Sequence, residues 1–182
     1  MRFPKSSPEK KAKEFAGYGI LSIDPGITGT GICRWNSLGW KKFEYPTGIE
    51  TFSPRRFDDW TYTAEVYHDK LKQLADEYDV KRIYCEFPQY FQSAKGHAAT
   101  AKGDIHKLAF LIGVFAAVAY EIGSEFTPIY VNTWKGQLPK EEVTRRIIRK
   151  LPDIRTRLAP ESHEWDAIGI GLFAQGFSFD GC

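Results

Sequence analysis

Three short apolar segments, separated only by turn residues, narrow the folds open to this chain more than any other feature. Gly17 to Asp24 reads as a strand (Tyr-Gly-Ile-Leu-Ser-Ile-Asp) halted by Pro25-Gly26; Gly29 to Trp35 and Gly39 to Tyr45 read as two more, with Gly or Asn in the turns between. Runs this short, so joined, pair as an antiparallel meander. The period then changes. Trp60, Ala64, Tyr67, Leu71, Leu74 and Tyr78 recur at three- and four-residue steps, the apolar stripe of a helix that Asp58 or Asp59 is placed to cap. Val80 to Phe87 predicts a fourth strand ended by Pro88, Ala98 to Ile122 a long helix, and Phe126 to Val131 a fifth strand. A basic helix over Pro139 to Lys150 and a last helix from Glu161 or Ser162 to about Gln175 complete the order. Helical crossovers between the later strands require those strands to run parallel. The expected architecture is α/β: a mixed five-stranded sheet, three antiparallel strands then parallel ones, with helices on both faces.

At 182 residues the chain suits one domain, expected over 17–182, behind a polar and basic tail at 1–16 that is expected to be disordered. The longest apolar run, Leu108 to Tyr120, is too short to cross a bilayer, and the N-terminus lacks an apolar signal region. That run is apolar almost all round, so it is either deeply buried or part of a subunit interface. Three cysteines, Cys33, Cys85 and Cys182, include no pair at metal-ligand spacing and point to a reducing, cytoplasmic setting without a disulfide framework. A net charge of +2 announces no polyanionic partner, but the distribution is uneven. Lys140, Arg145, Arg146, Arg149, Lys150, Arg155 and Arg157 crowd one stretch in which Glu141, Glu142 and Asp153 are the only acids.

Four residues carry the chemistry. Asp24 ends an apolar strand just before Pro-Gly-Ile-Thr-Gly-Thr-Gly, where small residues let a metal or phosphate approach the backbone; a simple turn cap would use the same residue. Glu86 lies inside Ile83-Tyr84-Cys85-Glu86-Phe87, and a carboxylate in such a strand is costly without a cation or strong donors. His163 and Asp166 stand three apart on the last helix, so both project from one face, either as metal ligands or as a pair in the first turn. The small, apolar stretch Ala167-Ile168-Gly169-Ile170-Gly171-Leu172 lets that helix sit close to a sheet. Together the three elements can meet at one sheet edge as an oxygen-rich site suited to Mg²⁺ or Mn²⁺. Two such ions activate a water and stabilise the leaving oxygen of a phosphodiester.

With these residues in place, the chain resembles RuvC-type Holliday junction resolvases of the RNase H-like fold. Ser22-Ile23-Asp24-Pro25-Gly26-Ile27-Thr28-Gly29-Thr30-Gly31 is similar to the family's opening motif, Tyr84-Cys85-Glu86-Phe87 to its glutamate-bearing strand, and His163-Glu164-Trp165-Asp166-Ala167 to its C-terminal acidic motif. The resemblance spans roughly Tyr18 to Phe173. It implies catalytic and metal-binding roles for Asp24, Glu86, His163 and Asp166, with two Mg²⁺ ions per site and Mn²⁺ as a substitute. It implies that Lys135 and Lys140 approach DNA phosphates, although the stretch from Thr133 to Lys140 is shorter than the family pattern. A family aromatic that wedges into the junction has three candidates here, Phe87, Tyr90 and Phe91, of which Phe87 is expected to pack inward. Arg145 and Lys102 are further DNA-binding candidates. The implied protein is a homodimer that nicks branched, four-way DNA symmetrically and leaves 5′-phosphate and 3′-hydroxyl ends, and the basic tail would suit a phage-encoded member acting in the host cytoplasm.

Three alternatives remain open. An RNase H-like nuclease acting on flaps, forks or RNA–DNA hybrids would use the same acids. A non-catalytic DNA-binding module would have no need of all three. An actin-like-fold phosphotransferase shares the Asp24-to-Thr30 turn pattern but needs a second domain and a second phosphate loop.

Overall fold

Alternation along the first strand decides how the layers assemble. In β1 (Tyr18–Asp24), Leu21 and Ile23 enter one apolar cluster, while Ile20 packs against a second cluster on the opposite face and Ser22 bonds to a helix there. The computed structural model describes residues 18–37, 45–55, 58–88 and 104–179. β2 (Thr30–Ser37) and β3 (Pro46–Phe52) continue β1 as an antiparallel meander, and β4 (Val80–Phe87) and β5 (Glu125–Tyr130) add parallel on its other side. The five-stranded sheet therefore runs β3-β2-β1-β4-β5, the mixed arrangement that the segment order predicts.

Helix α1 (Trp60–Tyr78) and helix α2 (Asp104–Glu121) cover the face carrying Leu21, Ile23, Ile32, Ile83 and Cys85. Asp59 caps α1 by accepting from the Tyr62 N–H. Tyr67, Leu71 and Leu74 of the α1 stripe are buried as expected, whereas Trp60 is 44% exposed and lies edge-on to Phe110 at 4.7 Å. Half of α2 enters the core through Leu111, Phe115 and Val118, while Tyr120 on its outer side is 90% exposed. The other face is covered by α3 (Val131–Trp134), α4 (Lys140–Lys150), α5 (Ile154–Leu158) and α6 (Ser162–Ala174).

The structure moves two strands and adds a helix. The third strand is Pro46–Phe52 rather than Gly39 to Tyr45; Tyr45 precedes it and residues 38–44 lie outside the described part. Pro46 is tolerated because β3 is an edge strand, where an N–H can be dispensed with. The fifth strand ends at Tyr130, and Val131 opens the short helix α3. Helix α5 follows α4 after a turn at Leu151, too short to leave a periodic signal. The tail at 1–16 and the first residues of the long helix, 98–103, also lie outside the described residues.

α6 is the element that fixes the rest. A Cβ on Gly169 would strike the Trp134 ring, one on Gly171 the Trp35 ring, and one on Gly31 the backbone of His163. The helix therefore lies directly on β1 and β2. Trp35 Nε1 donates to Ser22 Oγ at 2.8 Å, and Ser22 Oγ donates to the Ala167 carbonyl at 2.7 Å, so the buried polar groups at this contact are satisfied. Gly171→Ala is expected to lower stability by about 1–3 kcal/mol through overpacking, despite the better helix propensity of alanine. A melting temperature equal to that of the unmodified chain would show that the contact has slack.

Candidate active site

Register brings the first two acids together. Ile23 of β1 is level with Cys85 of β4, so Asp24, the last residue of β1, and Glu86, the last but one of β4, lie side by side on the face that α6 covers. Asp24 is 7% exposed. A capping box at the start of α6 sets the other two: the Glu161 side chain accepts from the first turn, and Glu164 accepts from the Glu161 N–H at 2.7 Å. Glu164, also buried, takes a second hydrogen bond from Thr51 of β3 at 3.2 Å, which pins the helix start to the sheet. His163 and Asp166 are thereby freed from capping and face the strand ends. His163 Nδ1 lies 3.0 Å from Asp24 Oδ2, and its ring sits against Gly26, where a Cβ would crowd it. The close approach to the Asp-Pro-Gly turn is made by this imidazole.

Two lysines stand among the carboxylates. Lys135 Nζ is 3.5 Å from both Glu86 Oε2 and Asp166 Oδ1. Lys140 Nζ is 3.6 Å from Asp166 Oδ2 and donates to the Ser162 carbonyl and hydroxyl at 2.8 and 2.9 Å. Trp134, fully buried, donates its indole N–H to Glu86 Oε2 at 2.9 Å while the Lys135 ammonium lies 4.6 Å from its ring centre. Sequence reasoning misses Trp134, Glu164 and Ser162. An indole beside a lysine looks like any core aromatic, and its bond to Glu86 follows only from the pairing of β4 with β5.

Crowding perturbs the site. Burial, reinforced by the charge of Asp166, raises the Asp24 carboxyl above its ordinary value against the opposing hydrogen bond from His163. Burial and the charge of Asp24 push Glu86 up to about 7, against Lys135 and the Trp134 bond. The hydrogen bond to Asp24 raises His163. Burial works against the charge on Lys135, but Glu86, Asp166 and Asp24 together hold its ammonium above the usual lysine value. Among the described residues, no three His, Cys, Asp or Glu side chains close into a ligand shell; Lys135 stands between Glu86 and Asp166. The donor set itself fits a hard divalent cation: three carboxylates, of which Asp24 and Glu86 are raised by burial and neighbouring charge, and one imidazole, with positive charge already drawn into their midst.

Of the other candidates, Arg145 lies further along α4, exposed and paired with Glu142, outside this cluster. Phe87 packs against the core and lies edge-on to Tyr130 at 5.5 Å, inward as expected. Tyr90, Phe91 and Lys102 lie outside the described residues. Cys33 and Cys85 are buried free thiols, and no helix among the described residues is long and apolar enough to cross a membrane.

No family model and no curated protein sequence matches the chain. Solved structures do. Thermus thermophilus RuvC in complex with Holliday junction substrate superposes at a TM-score of 0.63 with 18% identity, over 85% of this chain and 90% of that one. The fold is that of RuvC. The yeast mitochondrial Holliday junction resolvase gives 0.60 at 13% identity over 96% of this chain and 86% of its own. The fowlpox virus resolvase, solved with substrate Holliday junction DNA, gives 0.56 at 16% identity over 86% and 97%. In this chain the ends of β1 and β4 lie beneath the first turn of α6, where the carboxylates gather.

Two predictions test the electrostatics. Because Glu86 titrates near 7 in the folded chain against 4.5 ordinarily, the folded state keeps its proton longer than the unfolded state. Stability that is present below pH 4.5 is therefore lost as the pH rises through about 7. In EDTA, Glu86→Gln is expected to melt higher than the unmodified chain at pH 8 and to lose that advantage at pH 4.5; equal melting at both values would dismiss the raised carboxyl. Trp134→Phe removes the donor to Glu86 and is expected to move the Glu86 titration upward, as read from its carboxyl carbon resonance. A downward or absent shift would mean that the indole does not hold this carboxylate.

Proposed function

We propose that this chain is a metal-dependent Holliday junction resolvase, an endodeoxyribonuclease that nicks four-way DNA symmetrically and leaves 5′-phosphate and 3′-hydroxyl ends. One observation carries the reading. On a fold shared with RuvC, Asp24, Glu86 and Asp166 converge with His163 at the ends of two parallel strands, Asp24 buried and the other three partly so, with burial and neighbouring carboxylates raising the affinity of Asp24 and Glu86 for protons. Asp24, Glu86, Asp166 and His163 are the residues that would hold Mg²⁺ or Mn²⁺ ions. Bound divalent ions supply Lewis-acid activation of water and neutralise charge on the phosphodiester.

The chain's own residues set the conditions around that chemistry. Trp134 fixes one oxygen of Glu86 and leaves the other available. His163 orients the Asp24 carboxylate through their hydrogen bond. Lys135 and Lys140 offset carboxylate repulsion in the resting site and stand ready to meet a backbone phosphate, a more favourable partner once the acids are engaged by metal. Two copies acting together would present two such sites to a two-fold symmetric junction. The junction neighbours among the solved structures favour four-way DNA over flaps, forks or hybrids. The buried free thiols suit a reducing, cytoplasmic setting.

The test uses labelled four-way junction, flap, duplex and RNA–DNA hybrid substrates, with Mg²⁺ or EDTA, beside Asp24→Asn. Paired symmetric nicks in the junction alone are expected, abolished by EDTA and reduced on the order of a hundredfold or more in the variant. Preferential cutting of flaps or hybrids would replace the substrate while keeping the chemistry. DNA binding with no cutting in Mg²⁺ would leave a binding module.

A further inference from the structure

We propose that the cavity between α4 and α5 is a second phosphate site, which holds a backbone phosphate of the nucleic-acid strand next to the one at the carboxylate cluster. The proposal rests on the DNA reading above and adds residues to which that reading gives no role. Lys140, Glu141, Thr144, Arg145 and Ile148 from successive turns of α4, with Arg155 from α5, line an open cavity of about 360 Å³.

Three features suit a phosphodiester. First, the lining carries three cations against one acid, so the cavity is net positive in a chain whose total charge is only +2. Second, its apolar floor at Ile148 and the hydroxyl of Thr144 offer contact for a sugar and a hydrogen bond for an oxygen. Third, it adjoins the carboxylates through a shared side chain: Lys140 lines the cavity, and its ammonium is 3.6 Å from Asp166. A strand whose one phosphate met the carboxylate cluster would lay a neighbouring phosphate here.

Arg155 is the residue that decides the matter. Arg145 is engaged by Glu142 and Lys140 by Asp166 and Ser162. Arg155 is exposed, and among the described residues its guanidinium has the Trp165 ring at 6.0 Å but no carboxylate partner. It is held in place by α5, which the buried side chain of Ile154 anchors to the core. A guanidinium fork carried on a helix, with no anion beside it among the described residues, is well matched to phosphate oxygens.

The experiment measures binding of the full chain to a labelled four-way junction in EDTA across a salt series. Each phosphate neutralised contributes a slope of about 0.9 in log affinity against log salt. Arg155→Ala is expected to lower the slope by about one phosphate's worth and to weaken binding about tenfold near 0.1 M salt. Arg155→Lys should keep the slope. Lys81→Ala removes an equal charge at the far end of β4, where Lys81 pairs with Asp79, and should leave slope and affinity unchanged. An Arg155→Ala slope equal to that of the unmodified chain, or an equal drop in Lys81→Ala, overturns the site while leaving the nuclease reading intact. Failure of the unmodified chain to bind DNA removes both.

Discussion

Carboxylates packed together away from water repel, and each must either take up a proton or find positive charge. Asp24, Glu86 and Asp166 are in that position: two strand ends and a helix bring them onto one face, where burial and mutual charge raise Asp24 and Glu86. Lys135, Lys140 and His163 are the local answer. Such a group is a poor stabiliser, since the desolvation of the charges offsets much of their attraction. A cluster of this kind, costly to the fold, is the sort of arrangement that recurs at functional sites.

The cluster exists only because a helix can touch the sheet. Gly31, Gly169 and Gly171 remove the side chains that would hold α6 away, and Trp35 and Trp134 fill the space beside them. Trp134 serves twice, as filler under Gly169 and as hydrogen-bond donor to Glu86, so packing and electrostatics are coupled through one ring. A core substitution at this contact therefore reaches the carboxylates without touching them.

Much of this is legible in the order of residues. α1 and β4 announce their limits, one by a stripe bounded by Asp59 and Tyr78, the other by a β-rich run closed by Pro88. Asp24, Glu86 and Asp166 stand out as acids in apolar settings. What escapes has physical reasons. β3 begins with Pro46 and contains Gly48, both poor strand formers; the first is tolerated at an edge, and the second makes room for the Arg34 guanidinium. α5 spans too few residues to show a period. The double engagement of Lys135 and the indole bond to Glu86 depend on β5 lying beside β4, a long-range fact that no local window contains.

The outer strands carry a consequence of their own. β3 and β5 form the two margins of the sheet, and each contains a proline, Pro46 and Pro128. A ring nitrogen has no hydrogen to offer, so neither margin presents an unbroken ladder to a strand from another molecule. Growth of the sheet from chain to chain is thus discouraged from both sides. Among the described elements, the helical faces are the surfaces free of this restriction.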